Sequence, residues 1–281
     1  MNLLTSIPSP SISYFALGPL KIHFYALCIL AGIVAAVWIA DKRLTAQGAK
    51  SGVALDIALW TVPIGIIGAR IFHVLTHPAD YFYPGADLSV VFRVWEGGIA
   101  IYGGLIGGAL GALIGTRRAG ISFSAFADAV APGLLLAQAL GRWGNYFNQE
   151  LFGEPTNLPW GLEIDPNNPA IPAGTAPGTL FHPTFLYESV WSLLGVVALL
   201  ALDKRFRLNN GRLFGLYLAI YSTGRLFTES LRLDPSEIIL GLRTNIWSAL
   251  FGVVIGLALF LVQTKRRSGV LDSSSNGLAR R

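Results

Sequence analysis

Residues 141–153 read GRWGNYFNQELFG and crowd Arg142, Asn145, Asn148, Gln149 and Glu150 together behind a long apolar run. Two further polar clusters border apolar runs, one at the start of a run and one at the end. HPTFLYES, 182–189, carries Tyr187 and Glu188. YSTGRLFTESLRLDP, 221–235, adds Tyr221 and sets Arg225, Glu229 and Arg232 at i, i+4 and i+7, one face of a helix. On a helix Arg142, Asn145 and Gln149 would share a face likewise, with Gly141 and Gly144 leaving the backbone open to close approach. HFY, 23–25, and GGIAIYGG, 97–104, add Tyr25 and Tyr102. Any one of these arginines could simply pair with a neighbouring carboxylate. Three at one depth exceed what packing requires. A phosphate fits better, because guanidinium groups offer it forked, charge-assisted donors. No metal or cofactor is expected, since His23, His73, His77 and His182 lack ligand spacing.

The elements that must hold these groups belong to a membrane. Of 281 residues, 53% are hydrophobic and 13% charged, about half the charged share of a soluble domain. Residues 22–40, 97–116 and 244–264 contain no Asp, Glu, Lys or Arg over about the length that crosses a bilayer. The pattern predicts an all-α integral membrane protein of about seven helices, near 17–40, 54–75, 97–116, 121–141, 184–203, 212–230 and 244–264. Residues 1–265 form one catalytic domain in this reading. The Pro-, Gly- and Asn-rich 142–182 makes a small outward head with little regular structure, and 266–281 a disordered basic tail.

With seven spans, 14 of the 21 Lys and Arg fall on one side with only 3 of the 16 acids. The positive-inside rule makes that side cytoplasmic, with the C-terminus on it and the N-terminus outside. The +5 net charge then reports topology, not a nucleic-acid partner. Lys21, Arg70, Arg93, Arg142, Arg225, Arg232 and Arg243 are left over, and an arginine within a span usually faces a cavity or a partner. The lone Cys28 allows no internal disulfide, and the residues before the first apolar run lack a basic stretch, so that run reads as a retained span. Nothing in the pattern requires more than a monomer.

GRWGNYFNQELFG resembles the G-R-x-G-N-x-x-N-x-E-x-x-G signature of the bacterial phosphatidylglycerol–prolipoprotein diacylglyceryl transferases, with every fixed position present. The similarity runs in family order through LGPLKIHFYAL, GARIFHVL, WEGGIAIYGGLIGG, FADAVAP, HPTFLYE and YSTGRLFTES, from about residue 15 to 265. It implies transfer of a diacylglyceryl group from phosphatidylglycerol to the lipobox cysteine thiol of a preprolipoprotein, with release of glycerol phosphate. The enzyme would be a multi-pass protein of the bacterial plasma (inner) membrane, its active site facing outward. Arg142 and Arg225 would hold the phosphate, with Arg225 nearer the leaving group. Asn145, Asn148 and Glu150 would shape the headgroup pocket, Glu188 and Glu229 would fix the arginines, and Tyr25 and Tyr221 would line the site. Arg232 would be an outer contact for substrate.

One position departs from the family. Where many members carry a histidine proposed as the thiol's base, this chain has Tyr102. A phenol titrating near 10 is a poor acceptor at neutral pH unless a cation lowers it, so the catalytic part of Tyr102 is either that of a phenolate beside an arginine or, the reading favoured here, that of a positioning group. The proton would then go to His23, His182 or a carboxylate such as Glu150. Two other classes compete with the transferase. A transporter would show repeated broken helices and a channel a polar stripe along whole spans, and neither pattern is visible. A non-catalytic lipid-binding protein is separated only by the completeness of the signature.

Overall fold

The computed structural model describes residues 6–234 and 236–278, with side chains through residue 265. It is mostly helical. Seven long helices follow one another: α1 Phe24–Ala46, α2 Val53–Thr76, α3 Ile101–Arg118, α4 Phe123–Asn148, α5 Thr184–Phe206, α6 Arg212–Glu229 and α7 Thr244–Leu278. Among the described residues five are long and apolar enough to cross a membrane: α1, α2, α4, α5 and the Thr244–Lys265 part of α7. The other two have 18 residues each. Arg117 and Arg118 end α3 among many glycines, and Arg212, Arg225 and Glu229 interrupt the apolar character of α6. Large side chains such as Leu59, Ile67, Leu105, Leu194, Phe227 and Phe251 point outward, as expected of helices whose solvent is lipid.

The chain divides into two compact units. One is Ala40–Ala129; the other joins Met1–Ile39 to Val130–Arg281. In the Ala40–Ala129 unit α2 and α3 run antiparallel with their backbones touching. A Cβ on Gly111 would stand 2.5 Å from the Trp60 carbonyl oxygen, and one on Gly115 would stand 2.9 Å from Ile57 Cα. Gly103 and Gly107 press equally hard on the carbonyls of Gly68 and Ile64. Small residues spaced in this way let helices approach in lipid, where dispersion and weak hydrogen bonds must replace the hydrophobic effect.

Short 3-10 turns at Pro78–Asp80, Leu88–Phe92 and Val94–Glu96 connect these two helices. The buried Arg70 gathers that connection. It donates to the carbonyls of Val90, of Val91 at 2.8 Å, of Gly97 at 2.7 Å and of Gly98 at 2.8 Å, and lies over the Tyr81 ring. The charge singled out within a span by its position is thus satisfied by backbone. His73 and His77 stack on each other in the same unit.

In the other unit the first helix begins at Phe24, later than the sequence suggests. Residues before it form a hairpin of β2 Tyr14–Leu17 and β3 Leu20–His23, turning at Gly18 with φ +59. The head carries more regular structure than expected. Two-residue strands β1 Ser6–Ile7, β4 Pro155–Thr156, β5 Gly161–Leu162 and β6 Leu180–Phe181 form a sheet in the order β1-β5-β6-β4. Phe152, Leu162, Ile164, Phe181 and Phe185 pack into a small core of their own. A second core joins α4, α5 and α6 through Ala131, Leu135, Leu199, Leu213 and Tyr217. A last hairpin, β7 Ile238–Ile239 with β8 Leu242–Arg243, leads into α7. The expected tail at 266–281 falls beyond the described side chains, and its final residues beyond the described chain.

Candidate active site

The signature is helical only as far as Asn148. Gln149 takes a left-handed conformation (φ +50), the amide of Gln149 donates to the Tyr146 carbonyl, and the amide of Glu150 donates to that of Asn145. This is a Schellman-type helix end with glutamine in the place glycine normally takes. Gln149 is held there by its own side chain and carbonyl: Nε2 donates to the Pro10 carbonyl, Oε1 accepts the Asp165 amide, and the carbonyl accepts Asn168 Nδ2. It therefore does not share a face with Arg142 and Asn145, as an uninterrupted helix would require. The reversal brings the Glu150 carboxylate back onto α4, where Oε1 accepts Asn145 Nδ2 at 2.7 Å and Asn148 Nδ2 at 3.4 Å.

Three helices converge on the arginines. Arg142 on α4 is ion-paired through Nε with Glu188 Oε2 on α5 at 2.6 Å and donates through Nη1 to Asn145 Oδ1 at 3.1 Å. Arg225 on α6 reaches the other oxygen of the same carboxylate, Glu188 Oε1, at 3.3 Å, and Glu229 Oε2 at 2.7 Å. One buried carboxylate therefore bridges two guanidinium groups from different helices. Arg142 keeps 20% and Arg225 16% of its side chain exposed, against 9% for Glu188 and none for Glu229. The two cations are held by buried carboxylates and remain partly exposed.

The aromatic groups named from the sequence fall around Arg142. The phenols of Tyr221 and Tyr25 stand close enough to its guanidinium to interact with its charge. Tyr221 stacks on Tyr217, whose hydroxyl accepts Gln138 Nε2 at 3.0 Å. Tyr25 lies directly on Gly144, where a Cβ would meet its ring at 2.5 Å. The glycine beside Arg142 thus admits a tyrosine against the α4 backbone. Sequence reasoning gave no role to Gln138 or Tyr217. Neither residue type is unusual enough in an apolar run to draw attention.

Arg232 turns inward. Its side chain is 5% exposed and forms a fork to Asp234, Nε to Oδ1 at 2.6 Å and Nη2 to Oδ2 at 2.8 Å, with Glu229 Oε2 at 3.6 Å. That geometry is the inner support of a loop, where an outer substrate contact was expected. Arg243 also reaches Glu229, at 2.8 Å, and Asp234, at 3.6 Å. The network thus joins four guanidinium groups directly to Glu188, Glu229 and Asp234, with the Glu150 carboxylate linked to Arg142 through Asn145.

Tyr102 opens α3 in the Ala40–Ala129 unit, half exposed and tilted against Phe72. His182 Nδ1 lies 3.1 Å from the Tyr187 hydroxyl, which also accepts Trp160 Nε1 at 3.1 Å. Among the described residues no group of three His, Cys, Asp or Glu could hold a metal ion.

Several apolar helices long enough to cross a membrane, with two arginines of different helices joined through one carboxylate, fit a multi-pass membrane protein. The chain belongs to the prolipoprotein diacylglyceryl transferase family, whose model matches residues 13–262. It is 53% identical over 95% of its length to the phosphatidylglycerol–prolipoprotein diacylglyceryl transferase of Leifsonia xyli, covering 83% of that protein. It is 50% identical to the protein of the same name from Paenarthrobacter aurescens, covering 92% of this chain and 84% of that one. For transferase 2 of Streptomyces coelicolor the identity is 49%, over 95% and 84%.

Proposed function

We propose that this chain transfers the diacylglyceryl group of phosphatidylglycerol to the cysteine thiol of a preprolipoprotein, the first step of lipoprotein maturation. The observation that carries the chemistry is the Glu188 carboxylate shared by Arg142 and Arg225. It holds two forked cations on its two oxygens, and both keep part of their side chains exposed.

In this reaction the thiolate forms a C–S bond to a glycerol carbon while the C–O bond to phosphate breaks, its electron pair leaving with glycerol phosphate. A free thiol near pKa 8.5 is mostly protonated at neutral pH, so a base must take its proton. Negative charge grows on the departing phosphate, and cations already oriented there lower the barrier without reorganising. Arg225 takes the leaving phosphate and Arg142 the headgroup, with Tyr25 and Tyr221 beside Arg142. Asn145 and Asn148 hold Glu150, which shapes the headgroup pocket and is a candidate proton acceptor. Glu188 and Glu229 orient the arginines. Arg232 serves the same framework from inside. Tyr102 is read as a positioning group, with the proton passing to another acceptor.

The charge asymmetry of the connections supports seven spans, including the short α3 and α6. The N-terminus and the reaction would then lie on the outer side of a bacterial plasma membrane, and a monomer would suffice. Residues 1–265 would be the catalytic domain and the remainder a cytoplasmic tail.

The test uses purified protein in detergent with phosphatidylglycerol and a lipobox peptide, following glycerol phosphate release and peptide mass. Wild type should add one diacylglyceryl group per peptide, and Arg142→Ala and Arg225→Ala should not. Turnover by either alanine variant at the wild-type rate refutes the phosphate assignment. Activity retained by Tyr102→Phe shows that the phenol is not the base, as proposed.

A further inference from the structure

We infer that Arg243 and Asn245, at the entry to α7, are positioning residues for the transfer: they fix the Glu229 carboxylate so that its other oxygen orients Arg225. The inference rests on the reading of Arg225 as the cation at the departing phosphate. Glu229 is fully buried, and its two oxygens are divided between two tasks. Oε1 accepts Arg243 Nε at 2.8 Å and Asn245 Nδ2 at 3.0 Å, while Oε2 faces Arg225 Nη2 at 2.7 Å. A carboxylate held only through Oε2, by Arg225 and by Arg232 Nη1 at 3.6 Å, could rotate about its last bond. Two donors on Oε1 remove that freedom and set the plane in which Arg225 must lie.

Arg243 is itself immobilised. Nη1 donates to the Arg232 carbonyl at 3.2 Å and Nη2 to the Asp234 carbonyl at 2.9 Å. These bonds tie it to the segment that leaves α6, so the hairpin β7–β8 and the start of α7 are clamped onto the last turn of α6. Each of the three nitrogens of this guanidinium donates to the protein: Nε to Glu229 and the two others to loop carbonyls. Arg243 therefore acts through Glu229 and not on substrate. Lysine could not replace it, because one ammonium on a flexible stem cannot serve a carboxylate and two carbonyls in a plane. Asn245 isolates the effect, since its amide bonds Glu229 without touching the loop carbonyls.

The test compares Arg243→Met, Asn245→Leu and Arg225→Ala in the detergent assay, each followed by thermal unfolding, with the phosphatidylglycerol dependence resolved into kcat and KM. Arg243→Met should lower kcat on the order of 10- to 100-fold, the scale for a catalytic group displaced by about 1 Å, with KM little changed. Asn245→Leu should lower it in the same direction by less. In the background of Glu229→Gln, Arg243→Met should add no further loss, because both changes release the same contact. Losses that multiply instead would show that Arg243 acts elsewhere, and a wild-type kcat in both variants would overturn the inference. If Arg243→Met does not fold, Asn245→Leu alone and combined with Glu229→Gln decides in the same way. Full turnover by Arg225→Ala would refute the parent reading. An inactive Arg225→Ala beside fully active Arg243→Met and Asn245→Leu would refute this inference alone.

Discussion

Gly141 and Gly144 flank the same arginine, yet alanine should be accepted at one and not at the other. Helix propensity favours Ala over Gly inside a helix by about 0.5–1 kcal/mol at either position. At Gly141 the new methyl meets only the flexible end of Ile29, Cδ1 at 3.4 Å, which is ordinary contact. At Gly144 it would stand 2.5 Å from Tyr25 Cδ2 and 3.1 Å from Tyr25 Cα, a ring and a backbone. Restoring normal contact means moving Tyr25 by about 1 Å, and overpacking of this kind costs about 1–3 kcal/mol. Gly144→Ala should therefore be destabilised in spite of its better propensity, with turnover reduced on the order of 100-fold as Tyr25 leaves the side of Arg142. Gly141→Ala should keep its activity and unfold no earlier than wild type. Thermal unfolding in detergent and peptide mass after reaction measure both quantities. Full activity in Gly144→Ala, or equal damage from the two changes, would refute the account of Tyr25 seated on α4.

Glu188→Gln removes the charge that bridges two guanidinium groups; breaking a buried pair costs about 3–5 kcal/mol, so both the unfolding temperature and turnover should fall, and an unaltered enzyme would contradict the bridge. Gly111→Leu should destabilise the α2–α3 pair, since even a Cβ there would lie 2.5 Å from the Trp60 carbonyl oxygen; unfolding in detergent at the wild-type temperature would argue against backbone contact. In the α2–α3 connection the Ser89 hydroxyl and amide, with Arg93 beyond them, hold the Asp87 carboxyl below the usual aspartate range. Its stabilisation of the 3-10 turn is present above the unfolded value and lost as pH falls through the lower folded one. Amide exchange at Ser89 should rise in that acid window, and Asp87→Asn should show the faster exchange already at neutral pH.

Much of this arrangement was legible because polar residues are rare in the chain. Against an apolar background Arg142, Glu188, Arg225 and Glu229 stand out, and helical spacing was enough to group them. The same scarcity marked Arg70 and Arg243 as basic residues outside the cytoplasmic set, but it could not assign them partners. Arg70 binds carbonyls of a connection with no regular pattern, and the contact between Arg243 and Glu229 spans a hairpin of two-residue strands. The helix end at Asn148 was hidden for another reason. Glutamine rarely adopts a left-handed conformation, and the bonds from Pro10, Asp165 and Asn168 that hold Gln149 there come from distant sequence. The small head sheet escaped notice because strands of two residues leave no alternation to read.

The arginine network has a consequence for lipid choice. Its four guanidinium groups meet three carboxylates directly, and a fourth carboxylate, Glu150, is separated from Arg142 by the Asn145 amide. A phosphodiester with an uncharged glycerol brings one anion to this cationic cluster and no cation with it. A zwitterionic headgroup brings the same phosphate together with an ammonium, which the guanidinium groups repel. A phosphomonoester lipid adds a further negative charge close to Glu188 and Glu150. Competition between phosphatidylglycerol and lipids of these two kinds should therefore follow headgroup valence, with zwitterionic and doubly charged lipids both inhibiting weakly. Equal competition from a zwitterionic lipid would show that hydrogen bonding, not charge balance, selects the substrate.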